Sequence, residues 1–252
     1  MCSSDLCILE TWTGALEEPY RRRFLDAVQQ ALQRGARVRI LLLDPDAAAT
    51  EQRTEELHRR HDVRQEIMAN LLDLRRLWSL LDEGVRRRLE VRIYSASPSV
   101  QLYRWDDKAY LSFFPLGALA YDTPQLETFM NTPWGEFVDR RFDELWEDAG
   151  TRDLAAYWST TFTLVHPDGR AEDCEADYVV EEEVWYLSIP DLARHLDQHG
   201  LADLGVRRNG DGAQYRLEAI ADEDVRERMA DLLRVKYGGD RAIPVRLVAV
   251  PG

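Results

Sequence analysis

Lysine is nearly missing from this chain. Of 32 basic residues among 252, only Lys108 and Lys236 are lysines. The arginine bias reads as the coding preference of a GC-rich genome rather than as function. Cysteine is equally scarce. Cys2, Cys7 and Cys174 are odd in number and lack metal-ligand spacing, which argues against a disulfide framework and points to a cytoplasmic setting. No apolar run approaches the ~20 residues that cross a bilayer. The opening lacks the basic-then-apolar layout of a signal peptide, so no membrane partner is expected. Gly-rich phosphate loops, a Gly-x-Ser-x-Gly elbow, internal repeats and low-complexity tracts are all missing.

What the chain has in excess is acid. The net charge is −14, spread over both halves: residues 1–158 hold 21 basic and 27 acidic groups, and 159–252 hold 11 and 19. A polyanion repels nucleic acid at long range, so that partner is disfavoured except through a domain upstream of this chain. The clusters Arg21-Arg22-Arg23 and Arg86-Arg87-Arg88 read as solvated helix ends. The opening Cys-Ser-Ser-Asp-Leu of residues 2–6 is the translation of a common sequencing adapter. Residues 1–6 are therefore expected to be an assembly artefact or a truncated start, with the native chain beginning further upstream.

Apolar residues make up 45% of the chain, enough for well-formed cores. Residues 7–12 and 38–43 read as buried strands around a helix over 20–34 that Gly35 terminates, which predicts a right-handed crossover and a parallel sheet. A long helical region is predicted over 50–83, a strand over 89–94, a turn at Asp106-Asp107, a strand over 109–114 and a helix over 134–149. Residues 151–159 read as a linker. Beyond it the order is strand-rich with short helices: strands over 160–165, 178–180, 184–187, 205–208, 215–221 and 245–250, and helices near 190–199 and 222–236. That order predicts a small β-barrel with α decoration over 160–252.

Residues 99–106, Ser-Val-Gln-Leu-Tyr-Arg-Trp-Asp, carry the first resemblance. With Leu41-Leu42-Leu43-Asp44-Pro45, Val91-Arg92-Ile93-Tyr94 and Phe142-x-x-Leu145-Trp146, they make residues 7–149 similar to a phospholipase D-like unit. The likeness extends to pseudo-catalytic versions found in bacterial regulators. In that family the segment reads His-x-Lys-x-x-x-x-Asp, the histidine acting as nucleophile or acid and the lysine holding phosphate. Here Ser99 and Gln101 replace that pair and Asp106 remains. Serine cannot shuttle the proton and glutamine brings no charge to a phosphate, so no catalytic residue is assigned. The resemblance implies a phospholipase D-like sheet flanked by helices, and a homodimer, since the parent family joins two such sets across a pseudo-two-fold axis.

Residues 160–250 resemble the flavin-binding split-barrel group related to pyridoxamine-phosphate oxidases and deazaflavin-dependent nitroreductases. The likeness rests on the helix ending Lys236-Tyr237-Gly238 and on Pro244-Val245-Arg246-Leu247. The family's phosphate-gripping Thr-Gly-Arg loop falls on residues 166–173, where Gly169-Arg170 survives amid acids that repel a phosphate. No cofactor is therefore expected, with flavin the alternative. The fold class is α/β in the first domain (7–150) and α+β overall, with a split-barrel-like second domain.

The candidate ligand-binding residues are the polar strand-end groups Glu10, Asp44, Ser99, Gln101 and Asp106, which could converge on one crevice, and Arg104 beside the vacant motif. Ligands of open parallel sheets sit beyond the strands' carboxyl ends. Strand alternation allows only one of Tyr103 and Arg104 to face inward. His195 and His199 share a helix face but lack a third ligand and the following Glu, so no metal is expected. The expected function is non-catalytic ligand sensing or scaffolding, the ligand being a small molecule. The alternatives are a flavin- or deazaflavin-dependent oxidoreductase and a phosphodiesterase with a rearranged site.

Overall fold

The computed structural model describes residues 5–158, 160–181, 184–196, 200–208, 213–237 and 243–250. The chain divides into two compact units, Met1–Leu154 and Ala155–Gly252. Among the described residues no helix is long and apolar enough to cross a membrane.

The first unit is built on β1 (Asp5–Glu10), β2 (Arg37–Leu43) and β3 (Leu89–Tyr94), which run parallel in the order β1-β2-β3. β4 (Val100–Trp105), β5 (Lys108–Phe113) and β6 (Leu126–Phe129) add antiparallel on the β1 side, and β7 (Arg152–Asp153) adds on the β3 side. The seven-stranded sheet is thus mixed rather than parallel throughout, in the order β6-β5-β4-β1-β2-β3-β7. Ile40 to Leu43 in β2 are fully buried, as a central strand covered on both faces requires. α1 (Arg21–Gln33) crosses from β1 to β2, and Gly35 adopts the left-handed φ of +101° that releases the chain into β2.

The region 50–83 is not one helix. α2 (Ala48–Glu56), α3 (Val63–Leu80) and α4 (Glu83–Arg86) are separate, and His58 and Arg59 take left-handed φ between the first two. Leu57 closes α2 and Val63 opens α3, and both are buried. Asp62 caps α3 by accepting from the Gln65 N–H. α5 (Pro133–Trp146) starts with Thr132 as cap and Pro133 in its first turn. Strand β6 was not expected, because its Leu-Glu-Thr-Phe is too short for a periodic signal. The segment expected as a linker holds β7 and α6 (Leu154–Trp158).

The second unit is a closed six-stranded barrel. Its strands are β8 (Thr160–Val165), β9 (Ala171–Glu181), β10 (Val184–Ser188), β11 (Gly205–Arg208), β12 (Gln214–Ala219) and β13 (Val245–Ala249). They close in the order β10-β13-β12-β11-β8-β9. Phe162, Leu164, Tyr178, Leu187, Val206, Leu217 and Leu247 fill the interior. β9 begins well before the expected residue 178, because Cys174 and Ala176 alternate inward between outward acids. α7 (Leu192–Leu196) is short, and α8 (Glu223–Tyr237) packs Met229 and Leu233 against Val179, Tyr186 and Ile220 outside the barrel.

α8 also buries Lys236 completely. Its ammonium donates to the Tyr178 carbonyl at 3.0 Å and lies 3.7 Å and 3.6 Å from the ring centres of Tyr157 and Tyr178. Those ring faces and the carbonyl replace water around the charge. Lys108, by contrast, has 40% of its side chain exposed. An amine-specific reagent should therefore label Lys108 in the native protein and reach Lys236 only in denaturant, as read by peptide mass spectrometry. Equal labelling of both in the native state would contradict the cage.

Candidate functional site

Glu10 is the last residue of β1 and is 3% exposed. The register pairs Ile8 with Tyr103 and Gln101 with Ser112, so Glu10, Gln101, Tyr103 and Ser112 share one face of the sheet. The Glu10 carboxyl accepts from the Gln101 amide and, at 2.9 Å, from the Tyr103 hydroxyl. Ser112 donates to the Gln101 carbonyl at 2.5 Å, which fixes the amide's orientation toward Glu10. The Tyr103 hydroxyl also meets Thr13 Oγ1 at 2.6 Å, and the Tyr94 hydroxyl donates to the Glu10 backbone carbonyl. Burial raises the Glu10 carboxyl to about 8 despite these donors. Burial, then the nearby Glu10 charge, raises Tyr94 and Tyr103 as well.

Facing this network is Arg53 of α2, 2% exposed. Its guanidinium donates to the carbonyls of Pro115 and Ala118 and to Glu56, and lies over the Phe114 ring. Glu10, Thr11, Trp12, Gly14, Arg53, Gln101, Phe114, Leu119, Ala120 and Tyr121 line a cleft of about 290 Å³. Its enclosed depth has room for one water-sized molecule, about 20 Å³. Thr11 Oγ1 and Arg53 Nε are buried here without a hydrogen-bond partner among the described residues. Two orphaned polar atoms beside a neutral carboxyl form a site whose hydrogen bonding is incomplete.

Of the six candidate ligand-binding residues, Glu10 and Gln101 meet. The other four do not join them. Asp44 directly follows β2 but is engaged elsewhere: Arg152 approaches its carboxylate at 2.8 Å and its Oδ1 accepts from the Asp46 N–H. Burial raises its pKa while Arg152 opposes the rise. Ser99 is exposed ahead of β4 and is not in the cleft wall. Arg104 points to the opposite face, pairing with Asp139 and donating to Cys7 Sγ at 3.1 Å, because Tyr103 takes the inward position. Asp106 forms the two-residue turn between β4 and β5 with φ +51°, its Oδ1 accepting from the Asp5 N–H. It is five residues from Gln101, at the other end of the strand and on the other face.

Arg53 and Ser112 were missed. An arginine inside a helical pattern reads as solvated, and only the later carbonyls of Pro115 and Ala118 make its burial tenable. Ser112 could have been found by pairing across the Asp106-Asp107 turn, which sets it opposite Gln101.

In the barrel, His195 was weighed as a metal ligand with His199, which lies outside the described residues. His195 Nδ1 instead meets Glu172 at 2.8 Å, and buried His166 meets the same oxygen at 2.9 Å. These bonds, His195 first, hold the Glu172 carboxyl down at about 2. Among the described residues no His, Cys, Asp or Glu group is arranged to hold a metal ion.

Residues 19–112 match the model of a family described as a domain of unknown function, DUF5919. The matched span runs from α1 into β5 and includes Arg53, Tyr94, Gln101, Tyr103 and Ser112, but not Glu10. No curated protein matches the chain.

The raised Glu10 carboxyl makes a directional prediction. The folded protein holds this proton more tightly than the unfolded chain, so its stabilising contribution is complete below the unfolded value of 4.5 and is lost as pH rises through about 8. Denaturant melts of wild type between about pH 5 and 9 should lose on the order of a few kcal/mol relative to Glu10→Gln. Parallel pH profiles for the two proteins would contradict the assignment.

Proposed function

We propose that the first unit is a non-catalytic ligand-binding module, a phospholipase D-like domain that has exchanged its catalytic pair for a neutral recognition network. The observation that carries this reading is the pair of orphaned buried atoms, Thr11 Oγ1 and Arg53 Nε, beside the protonated Glu10. A buried polar atom without a partner costs about 1–3 kcal/mol, a cost that a bound group can recover. The ligand class follows from the wall. Glu10 is neutral near pH 7, Arg53 shares its charge with Glu56, and Gln101 is uncharged, so the fit is a neutral polar group rather than a bare phosphate. The cleft depth admits only the tip of a ligand, whose body would lie against Trp12, Phe114 and half-exposed Tyr121.

In this reading Gln101 holds Glu10 and Ser112 together instead of gripping phosphate, and Ser99 has no chemical duty. The barrel serves as a scaffold, and its split-barrel resemblance makes flavin the competing ligand. The same resemblances, and the pairing of phospholipase D-like units, support a homodimer.

Thermal-shift screening of metabolites, nucleotides and flavins tests this directly. A true ligand at a hundred times its Kd should stabilise wild type by about 2.7 kcal/mol. Thr11→Val removes the orphaned hydroxyl at nearly constant shape, so the unliganded variant should be at least as stable as wild type while the ligand shift shrinks or disappears. Absence of any shift that depends on Thr11 or Gln101 would overturn the sensor reading. Diester hydrolysis abolished by Glu10→Gln would replace it with an enzyme using Glu10 as its acid.

A further inference from the structure

We propose that the cleft beside Glu10 takes the cis-amide edge of a neutral planar heterocycle, a ring carbonyl with an N–H next to it, an inference that rests on the ligand-binding reading above. Donors and acceptors around the cleft set this class. Gln101 Nε2 and the Tyr103 hydroxyl both donate to Oε1 of Glu10, which fills the two lone pairs of that oxygen. The Thr11 N–H also bonds to this carboxyl. Burial keeps the acid protonated, and its proton belongs on Oε2, since Oε1 is taken up as an acceptor. Oε2 is therefore a donor.

Arg53 brings a second donor. Its terminal nitrogens are spent on Glu56 and on the carbonyls of Pro115 and Ala118, whereas its Nε–H meets no acceptor among the described residues. A guanidinium cannot accept. Thr11 Oγ1 is the third open group, and a hydroxyl both donates and accepts. Two donors beside one two-way hydroxyl call for an acceptor oxygen with a donor adjacent to it.

The space decides among such groups. The enclosed depth of about 20 Å³ admits one oxygen, not the two of a carboxylate or the three of a phosphate. Glu56, 3.1 Å from the Arg53 guanidinium, already offsets the positive charge that an anion would otherwise neutralise. A ketone offers no donor to Thr11. An open-chain secondary amide is trans and holds its C=O and N–H on opposite sides. Ring closure places both on one edge. The rest of the wall is aromatic. Trp12 spends its indole N–H on Glu17 at 2.8 Å, and the Arg53 guanidinium lies 5.1 Å from the Phe114 ring centre. With half-exposed Tyr121 these side chains present ring surface, which a flat unsaturated ring covers better than an alkyl chain. A cleft of about 290 Å³ stands at the small end of ligand pockets, so it suits one ring or a fused pair rather than a whole cofactor.

The test is millimolar titration of the full chain near pH 7 with 2-pyridone, N-methyl-2-pyridone and benzoate, followed by ligand-observed NMR. 2-Pyridone should bind. N-methyl-2-pyridone keeps the ring and carbonyl but lacks the N–H, and should bind about ten-fold more weakly. Thr11→Val should cost 2-pyridone about ten-fold and leave N-methyl-2-pyridone unchanged, so that the two affinities converge. Thr11→Ser keeps the hydroxyl and should keep the preference. Thr11→Ala should read as Thr11→Val does if that variant fails to fold. A loss shared equally by both probes would overturn the contact between Thr11 and the ring N–H. 2-Pyridone binding that ignores both Thr11→Val and Gln101→Ala would lie elsewhere and overturn the proposal. Benzoate binding that depends on Thr11 and Gln101, with no binding of 2-pyridone, would overturn the cis-amide class and leave the ligand-binding reading standing. Absence of any Thr11- or Gln101-dependent binding, by these probes or in the metabolite screen, would overturn both and leave the cleft to water.

Discussion

Burial of one carboxyl at the end of β1 organises the first unit. A chain that closes Glu10 off from water has to neutralise it and supply it with donors, and the groups that serve it come from β3, β4 and β5. Gln101 and Tyr103 of β4 reach its side chain, Tyr94 of β3 reaches its backbone, and Ser112 of β5 holds Gln101 in register. Three strands are thereby tied to β1 at the carboxyl end of the parallel core. Arg53 approaches from α2 with its remaining donors spent on the carbonyls of Pro115 and Ala118. Fully satisfied buried networks rigidify a core, and a buried polar atom left without a partner calls for an explanation such as a bound water, ion or ligand. The donors that reach the carboxyl are in place, whereas the rim at Thr11 and Arg53 is incomplete.

The other strand-end carboxylates show how differently a similar position can be used. Asp44 directly follows β2 in the same crevice-forming region, yet Arg152 from β7 and the Asp46 amide consume its oxygens. It closes the sheet's far side instead of opening it. On the reverse face, Arg104 lies between Asp139 and Cys7 and joins α5 to the sheet. Period-two alternation divides β4 into these two jobs, recognition through Gln101 and Tyr103 and attachment through Arg104.

Much of this was legible from the residues alone. The apolar run of β2, the helix ended by Gly35, the hairpin at Asp106-Asp107 and the strand-rich second unit follow from periodicity and turn chemistry. Glu10 and Gln101 were identifiable as polar residues at strand ends. Asp106 was misplaced because a family spacing was followed where strand alternation already set it apart from Gln101, and alternation left open whether Tyr103 or Arg104 faced inward. Arg53 was not legible, since its burial depends on backbone carbonyls some sixty residues later. β6 was too short to announce itself.

The account rests on the protonation state of Glu10. Carboxyl ¹³C NMR of glutamate-labelled protein, with Glu10→Gln assigning the resonance, measures it without reference to ligand or assembly. The account predicts a Glu10 carboxyl that is protonated at pH 6.5 and titrates near 8. A Glu10 resonance that titrates near 4.5, the ordinary value for this side chain, would contradict it.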